Sequence, residues 1–121
     1  MGQINYKVEF YITKSGDCPA QDFLNSLTKD EQARVIHYLK MLQEHGRQLR
    51  RPHADHLRDH IWELRIRCSY THYRMLYFLH DGKKFIITHG FKKQTSNVPE
   101  LEIDKAIEYR EDYLNRVKDQ K

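Results

Sequence analysis

The chain has 121 residues, 39% hydrophobic, 12% aromatic and 31% charged, with a formal net charge of +4, which suits one domain over residues 1–121. No apolar run approaches the ~18 residues that span a bilayer, and no stretch shaped like a secretory leader opens the chain, so a cytoplasmic protein without membrane partners is expected. Cys18 and Cys68 stand alone, without CxxC or zinc-ligand spacing, which argues against a disulfide scaffold and fits a reducing compartment.

Ile4, Tyr6, Val8, Phe10 and Ile12 alternate with Asn5, Lys7, Glu9, Tyr11 and Thr13, a period of two that predicts a strand with one buried face. Ser15-Gly16-Asp17 breaks it. Pro19 suits the first turn of a helix, where its missing N–H would be unpaired anyway, and Phe23, Leu24 and Leu27 give that helix an apolar side. Thr28 followed by Glu31 predicts a capping box at the start of a second helix. Val35, Tyr38, Leu39 and Leu42 recur at helical spacing, and Gly46 is placed to end the run.

Residues 47–59 are polar, basic and interrupted by Pro52, and read as a loop. Three strands are expected next, over residues 61–67, 72–79 and 85–91, with Asp81-Gly82 supplying a tight turn. In the first of them Trp62, Leu64 and Ile66 face one way and Glu63, Arg65 and Arg67 the other. Pro99 opens a last helix whose inner face holds Ile103, Ala106, Ile107, Leu114 and Val117. The order β-α-α-β-β-β-α predicts an α+β fold. An N-terminal strand and a two-helix hairpin pack on a twisted, mainly antiparallel sheet, followed by a C-terminal helix. With the helices on one side, the side bearing Arg65 and Arg67 is expected to be open, concave and positive.

The charge distribution points the same way. Residues 1–46 hold five Lys/Arg against six Asp/Glu, residues 47–93 eleven against four, and residues 94–121 five against seven. A cationic middle that also holds most of the histidines is the footprint of a polyanion or an acidic protein, or else a solvated face. His53, His56 and His60 have a spacing that suits a metal on a helix. Pro52 and the missing apolar stripe make that segment a loop, so no metal site is expected.

Several of these residues together resemble a known family. Leu57, Ile61-Trp62-Glu63-Leu64-Arg65-Ile66, Tyr73-Arg74-Met75-Leu76-Tyr77, His89-Gly90-Phe91-Lys92-Lys93, Pro99 and Ala106 look like the RelE/ParE toxin superfamily, in its phage-derived, HigB-like subgroup. The resemblance spans nearly the whole chain. It implies the RelE-like fold and the toxin of a type II toxin–antitoxin pair. It also implies a ribosome-dependent mRNA endoribonuclease that needs no metal or cofactor. The alternatives within the superfamily are a non-enzymatic toxin that inhibits DNA gyrase, or a relic that binds its antitoxin without catalysis. Implied partners are a helix-turn-helix antitoxin, the ribosome and mRNA, with operator DNA reached only through the antitoxin.

The resemblance also assigns residues. Arg74, expected at a solvent-facing position of the sheet, matches the family's phosphate-stabilising arginine, whose fork can hold two phosphate oxygens; the alternative is an arginine paired to a carboxylate on a neighbouring strand. On Phe91 and Pro99, the family's lysine pair falls on Lys93 and Gln94, and a further lysine on Asn97, so this tail is less basic than usual. Arg65 points to the open face, either toward phosphate or into a pair with Glu63. His89 is the strongest histidine for acid–base work because it lies in the His-Gly-Phe motif, and His72 comes from the neighbouring strand. Arg47, Arg50, Arg51, Arg58, Arg67, His72, Lys83, Lys84 and Lys92 are expected to meet RNA phosphates through a salt-sensitive, sequence-independent attraction. Tyr73, Tyr77 and Trp62 are either base-stacking or core residues.

Overall fold

The computed structural model describes residues 6–94 and 97–119, so Ile4 and Asn5 of the expected first strand lie outside the described residues. The elements are β1 (Lys7–Phe10), α1 (Pro19–Asn25), α2 (Lys29–His45), β2 (Ala54–Arg58), β3 (Ile61–Cys68), β4 (Thr71–His80), β5 (Lys84–Lys92) and α3 (Glu100–Asp119). A 3-10 turn, Gly46–Gln48, follows α2. The strands form one five-stranded sheet in the order β1-β5-β4-β3-β2. β1 runs parallel to β5, and the other neighbours are antiparallel. The expected α+β class is the one the chain adopts.

Local signals set the helices. The Thr28 hydroxyl accepts the Glu31 N–H at 3.2 Å while the Glu31 carboxylate accepts the Thr28 N–H at 2.8 Å, completing the capping box. Gly46 ends α2 at a φ of +55°, and a Cβ there would meet the Tyr6 ring at 2.0 Å; the position needs glycine on both counts. Gly90 serves by absence of bulk, since a Cβ on it would lie 2.4 Å from the Phe23 ring. The glycine thus lets α1 rest directly on β5.

Residues 47–59 are more than a loop, because β2 pairs with β3 from Ala54 opposite Leu64 to Arg58 opposite Ile61. β2 is an edge strand in which only Ala54 is fully buried. It therefore carries no apolar alternation, and its pairing follows from its partner.

The placement of α3 corrects a second expectation. α1 and α2 cover one face of the sheet, where Leu64, Ile66, Met75, Tyr77 and Ile87 pack against Val35, Leu39 and Leu42. α3 covers part of the other, where Tyr11, Ile61, Leu76, Phe78 and Ile86 pack against Ala106, Ile107 and Tyr109. The face bearing Arg65 is thus core over part of its area. The cause is β4, whose unbroken run Met75-Leu76-Tyr77-Phe78 puts apolar groups on both faces, so both need cover. Ile103 and Ala106 of α3 are buried, while Ile107, Leu114 and Val117 are half-buried.

At the end of β1 the expected alternation reverses. Tyr11 is buried and Ile12 exposed, because the ladder stops at Phe10 and the Tyr11 ring turns under α3 to stack on Tyr109 at 4.7 Å. Cys18 and Cys68 are free thiols. Among the described residues no helix is long and apolar enough to cross a membrane.

Candidate functional site

Strand register gathers the charged residues on the α3 side of the sheet. Arg65 lies opposite Arg74, and Arg74 opposite Phe91. Toward the β3–β4 turn, Arg67 lies opposite His72, whose carbonyl accepts the Lys93 N–H at 2.8 Å. In the other direction Glu63 lies opposite Leu76, and Leu76 opposite His89. That last pairing depends on a bulge. The register shifts between Leu76 and Tyr77, leaving Thr88 as the extra residue and turning His89 toward α3.

Glu63 organises the cluster. One carboxylate oxygen accepts the Arg74 Nε–H at 2.7 Å, and the other accepts the Arg65 Nε–H at 3.1 Å. Arg65 reaches on to Asp55 at 3.4 Å, and Arg51 holds the same Asp55 oxygen at 2.9 Å. Charges therefore alternate in sign from Arg74 through Glu63, Arg65 and Asp55 to Arg51. Arg74 is only 5% exposed, which corrects its expected position on an open, solvated face. Burial there lowers its pKa and the Glu63 charge opposes the shift. Its Nη1 donates to the Tyr73 carbonyl at 3.1 Å, while Nη2 has no hydrogen-bond partner among the described residues.

Lys93 joins this group electrostatically. Burial lowers the pKa of its amine, and the charges of Arg74 and Arg65 lower it further against the pull of Glu63. A lysine so placed gives up its proton more readily than an exposed one.

His89 does not join the group. Its Nε2 lies 3.0 Å from Glu102 of α3 and its Nδ1 3.0 Å from the Thr88 hydroxyl. Burial lowers its pKa against the pull of Glu102. The ring lies between Phe91 and Tyr109, with centroids 5.8 and 5.9 Å away. His89 fastens α3 to β5.

The remaining cations separate into groups. Arg67 and His72 are exposed beside the cluster, with the Arg67 Nε–H donating to the Ser69 carbonyl at 3.2 Å. Arg58 is tied to Glu100, Asp104 and Asp59, so it clamps β2 to the start of α3. Lys83 and Lys84 sit at the β4–β5 turn, at the far end of the sheet, with Lys84 3.8 Å from Glu9. Lys92 is opposite Tyr73 and takes the other face. Arg47 and Arg50 are exposed at the end of α2 and form no ion pair among the described residues. Gln94 and Asn97 are exposed. Tyr73 and Tyr77 are buried and Trp62 is half-buried. Among the described residues, no three His, Cys, Asp or Glu are grouped to hold a metal ion.

One residue that sequence reasoning passed over is Tyr70, 94% exposed at the β3–β4 turn beside Arg67 and His72. An aromatic residue within a polar turn was its only signal.

The profile of a family described as phage-derived, Gp49-like proteins matches residues 22–111, a span that holds every member of the charged cluster. A chain in the crystal structure of the archaeal RelE–RelB complex from Pyrococcus horikoshii OT3 superposes with a TM-score of 0.53 at 21% identity. The match covers 76% of this chain and 99% of that one, and it is a likeness of fold. No curated protein matches the sequence significantly.

Proposed function

The chain belongs to the phage-derived Gp49-like family, a RelE/HigB-like toxin family, and on that premise we propose that it is the toxin of a toxin–antitoxin pair, acting as a ribosome-dependent mRNA endoribonuclease. The observation that carries this reading is the cluster of Arg74, Arg65 and Lys93 around buried Glu63. Cleavage of RNA without a metal proceeds by attack of a ribose 2′-OH on the adjacent phosphorus. The O2′–P bond forms and the P–O5′ bond breaks, leaving a 2′,3′-cyclic phosphate and a 5′-hydroxyl.

Each residue has a role in that step. The Nη2 of Arg74, together with Arg65, offers N–H donors to the phosphorane as its charge grows. Glu63 fixes both guanidinium groups beforehand, so they need not reorganise during the reaction. Lys93, with its lowered pKa, takes the proton from the 2′-OH, and the departing 5′ oxygen takes one from water. Arg67 and His72 extend the phosphate track toward the β3–β4 turn. The partner is an antitoxin with a helix-turn-helix domain; the RelE of the similar structure is itself in complex with RelB.

A second reading has one observation in its favour. The near-complete burial of Arg74 in an ion pair suits a module that binds its antitoxin without cutting RNA. Expressing the chain alone and mapping message ends by primer extension, with and without a start codon, separates the readings. Cuts confined to translated message are expected. Intact message with arrested gyrase supercoiling would point to a gyrase inhibitor, and intact message without growth arrest to the binding module.

A further inference from the structure

On the α2 side of the sheet, away from the Glu63 cluster, lies a cavity of ≈ 220 Å³ between the end of α2 and strands β3 to β5. Trp62, Tyr77 and Phe85 give it aromatic walls, and Arg47 and Arg50 line it at the surface. Its size, equal to about seven waters at ~30 Å³ each, suits one flat ring system.

Three observations define what it would hold. Arg47 and Arg50 form no ion pair among the described residues, whereas Arg51, Arg58, Arg65 and Arg74 each hold a carboxylate. Two unneutralised guanidinium groups three residues apart are a ready site for an anion. The Arg50 guanidinium lies 5.2 Å from the Trp62 ring centre, so the cation and the aromatic wall form one surface. Tyr77 is 3% exposed and lines the cavity, and its hydroxyl bonds no other described residue yet is not sealed from solvent. A ligand that fills the cavity takes that hydroxyl out of water and has to bond it, which an apolar side chain cannot do.

From these features we propose that the cavity is a nucleotide site. A nucleobase inserts beside Trp62, Tyr77 and Phe85, its polar edge meets the Tyr77 hydroxyl, and its phosphate lies on Arg47 and Arg50. A base supplies both the flat face for aromatic contact and the polar edge for the phenol. An acidic peptide with an aliphatic anchor supplies only the charge. Because the sheet separates this cavity from Lys93 and Arg74, the nucleotide held here is not the one cut at the Glu63 cluster. The site therefore stands or falls independently of the cleavage reading. Its ligand is either a free nucleotide or a base turned out of an RNA strand.

Trp62 is the chain's one tryptophan, so its fluorescence reports on the cavity directly. The full chain is titrated with AMP, UMP and a short single-stranded RNA, with inorganic phosphate and a Glu-Phe-Glu peptide as controls. Saturable quenching by nucleotide or RNA is expected. Equal affinity for the mononucleotide and the RNA identifies a free nucleotide as the ligand, and RNA at least about tenfold tighter identifies a strand.

The double variant Arg47→Gln/Arg50→Gln, altered only at exposed positions, is expected to bind about tenfold or more weakly. Its log–log salt slope should flatten by up to about one unit for each phosphate that the variant leaves unneutralised. Tyr77→Phe, which keeps the cavity's shape, is expected to weaken AMP and UMP unequally. Lys93→Ala is expected to leave the AMP and UMP titrations unchanged. The proposal is overturned if no nucleotide or RNA saturates, if inorganic phosphate quenches as well as AMP, or if the peptide binds and nucleotides do not.

Discussion

Beneath α1 and α2 the sheet presents Leu64, Ile66, Met75 and Ile87 to Val35, Leu39 and Leu42, and apolar packing does the holding. Beneath α3 it presents a smaller patch, Ile61, Leu76, Phe78 and Ile86, which meets buried Ala106. Polar fasteners surround that patch. His89 bonds Glu102, Arg58 clamps Glu100 and Asp104, Tyr11 bonds Asp112, and Arg116 donates to the Ile12 carbonyl. Burial of apolar area contributes roughly 25 cal/mol per Å² and depends little on pH or salt. Ion pairs and hydrogen bonds depend on both. The α1–α2 face thus sets the stability of the fold, while the α3 face holds charged groups beside a helix whose grip varies with conditions.

Arg74→Ala strikes the α3 face hardest. Loss of cleavage by a few hundredfold is expected, on the order of 3 kcal/mol for one donor to the developing charge. Stability should also fall, by no more than about 3 kcal/mol for a broken buried pair, because Arg65 keeps its hold on the second Glu63 oxygen. Arg74→Lys separates the two effects, since it keeps the charge but loses the fork. It should fold with little loss and still cut poorly in single-turnover assays on programmed ribosomes. A fully active Arg74→Lys would show that the fork, with Nε on Glu63 and Nη2 turned to phosphate, is not needed for cleavage and leave Arg74 a structural residue.

Truncating one core residue on each face sharpens the contrast. Leu42 is fully buried against the sheet and Ile103 nearly so on α3. Leu42→Ala should lower global stability to urea by roughly 3 kcal/mol, within the span for buried Leu→Ala changes. Ile103→Ala should cost about 2 kcal/mol, with its main effect on α3, whose amides should exchange faster well before the sheet opens. Equal acceleration of exchange across β3, β4 and β5 in the Ile103→Ala protein would show that the two faces open as one unit.

What the sequence disclosed, and what it concealed, follows the range of the interactions. The capping box at Thr28, the proline at the head of α1 and the stop at Gly46 are made by residues within a turn of each other, so reading along the chain finds them. The packing of α3 is decided by the outward residues of β4, which matter only once β3 and β5 flank them. Arg74 and Glu63 are eleven residues apart and meet through register. Both were on view in the Tyr-Arg and Glu-Leu-Arg motifs, but nothing in either motif says that the arginine is sealed over the carboxylate. His89 was legible as a motif residue and illegible as a fastener. Unbroken alternation from Ile87 would put it on the α2 side, and one extra residue, Thr88, turns it to α3.

The weakest of the three effects lies in that fastener, and it can be read by pH alone. Burial lowers the pKa of His89 in the folded protein, with Glu102 pulling the other way and Lys105, 3.6 Å from Glu102, reinforcing the lowering. In the unfolded chain the same ring titrates near 6.5. As pH falls through about 6.5, the unfolded chain takes up a proton that the folded ring resists, so stability falls. The decline continues down to the folded pKa and then levels off, at about 1.4 kcal/mol for each unit separating the two values. Above pH 7 both states carry a neutral ring and the contribution is flat. Asp55, Asp112 and Glu31, whose pKa values are lowered in the fold, lose their contributions only as pH falls below ordinary carboxylate values near 4. Urea midpoints between pH 7.5 and 5 therefore isolate the histidine. His89→Gln keeps a donor toward Glu102 and cannot titrate, so its midpoint should stay nearly flat where the parent's declines. On the comparison drawn above, the decline should be accompanied by faster exchange in α3 and not in α2. Parallel curves for parent and variant would place the acid sensitivity elsewhere and leave His89 a fastener that does not respond to pH.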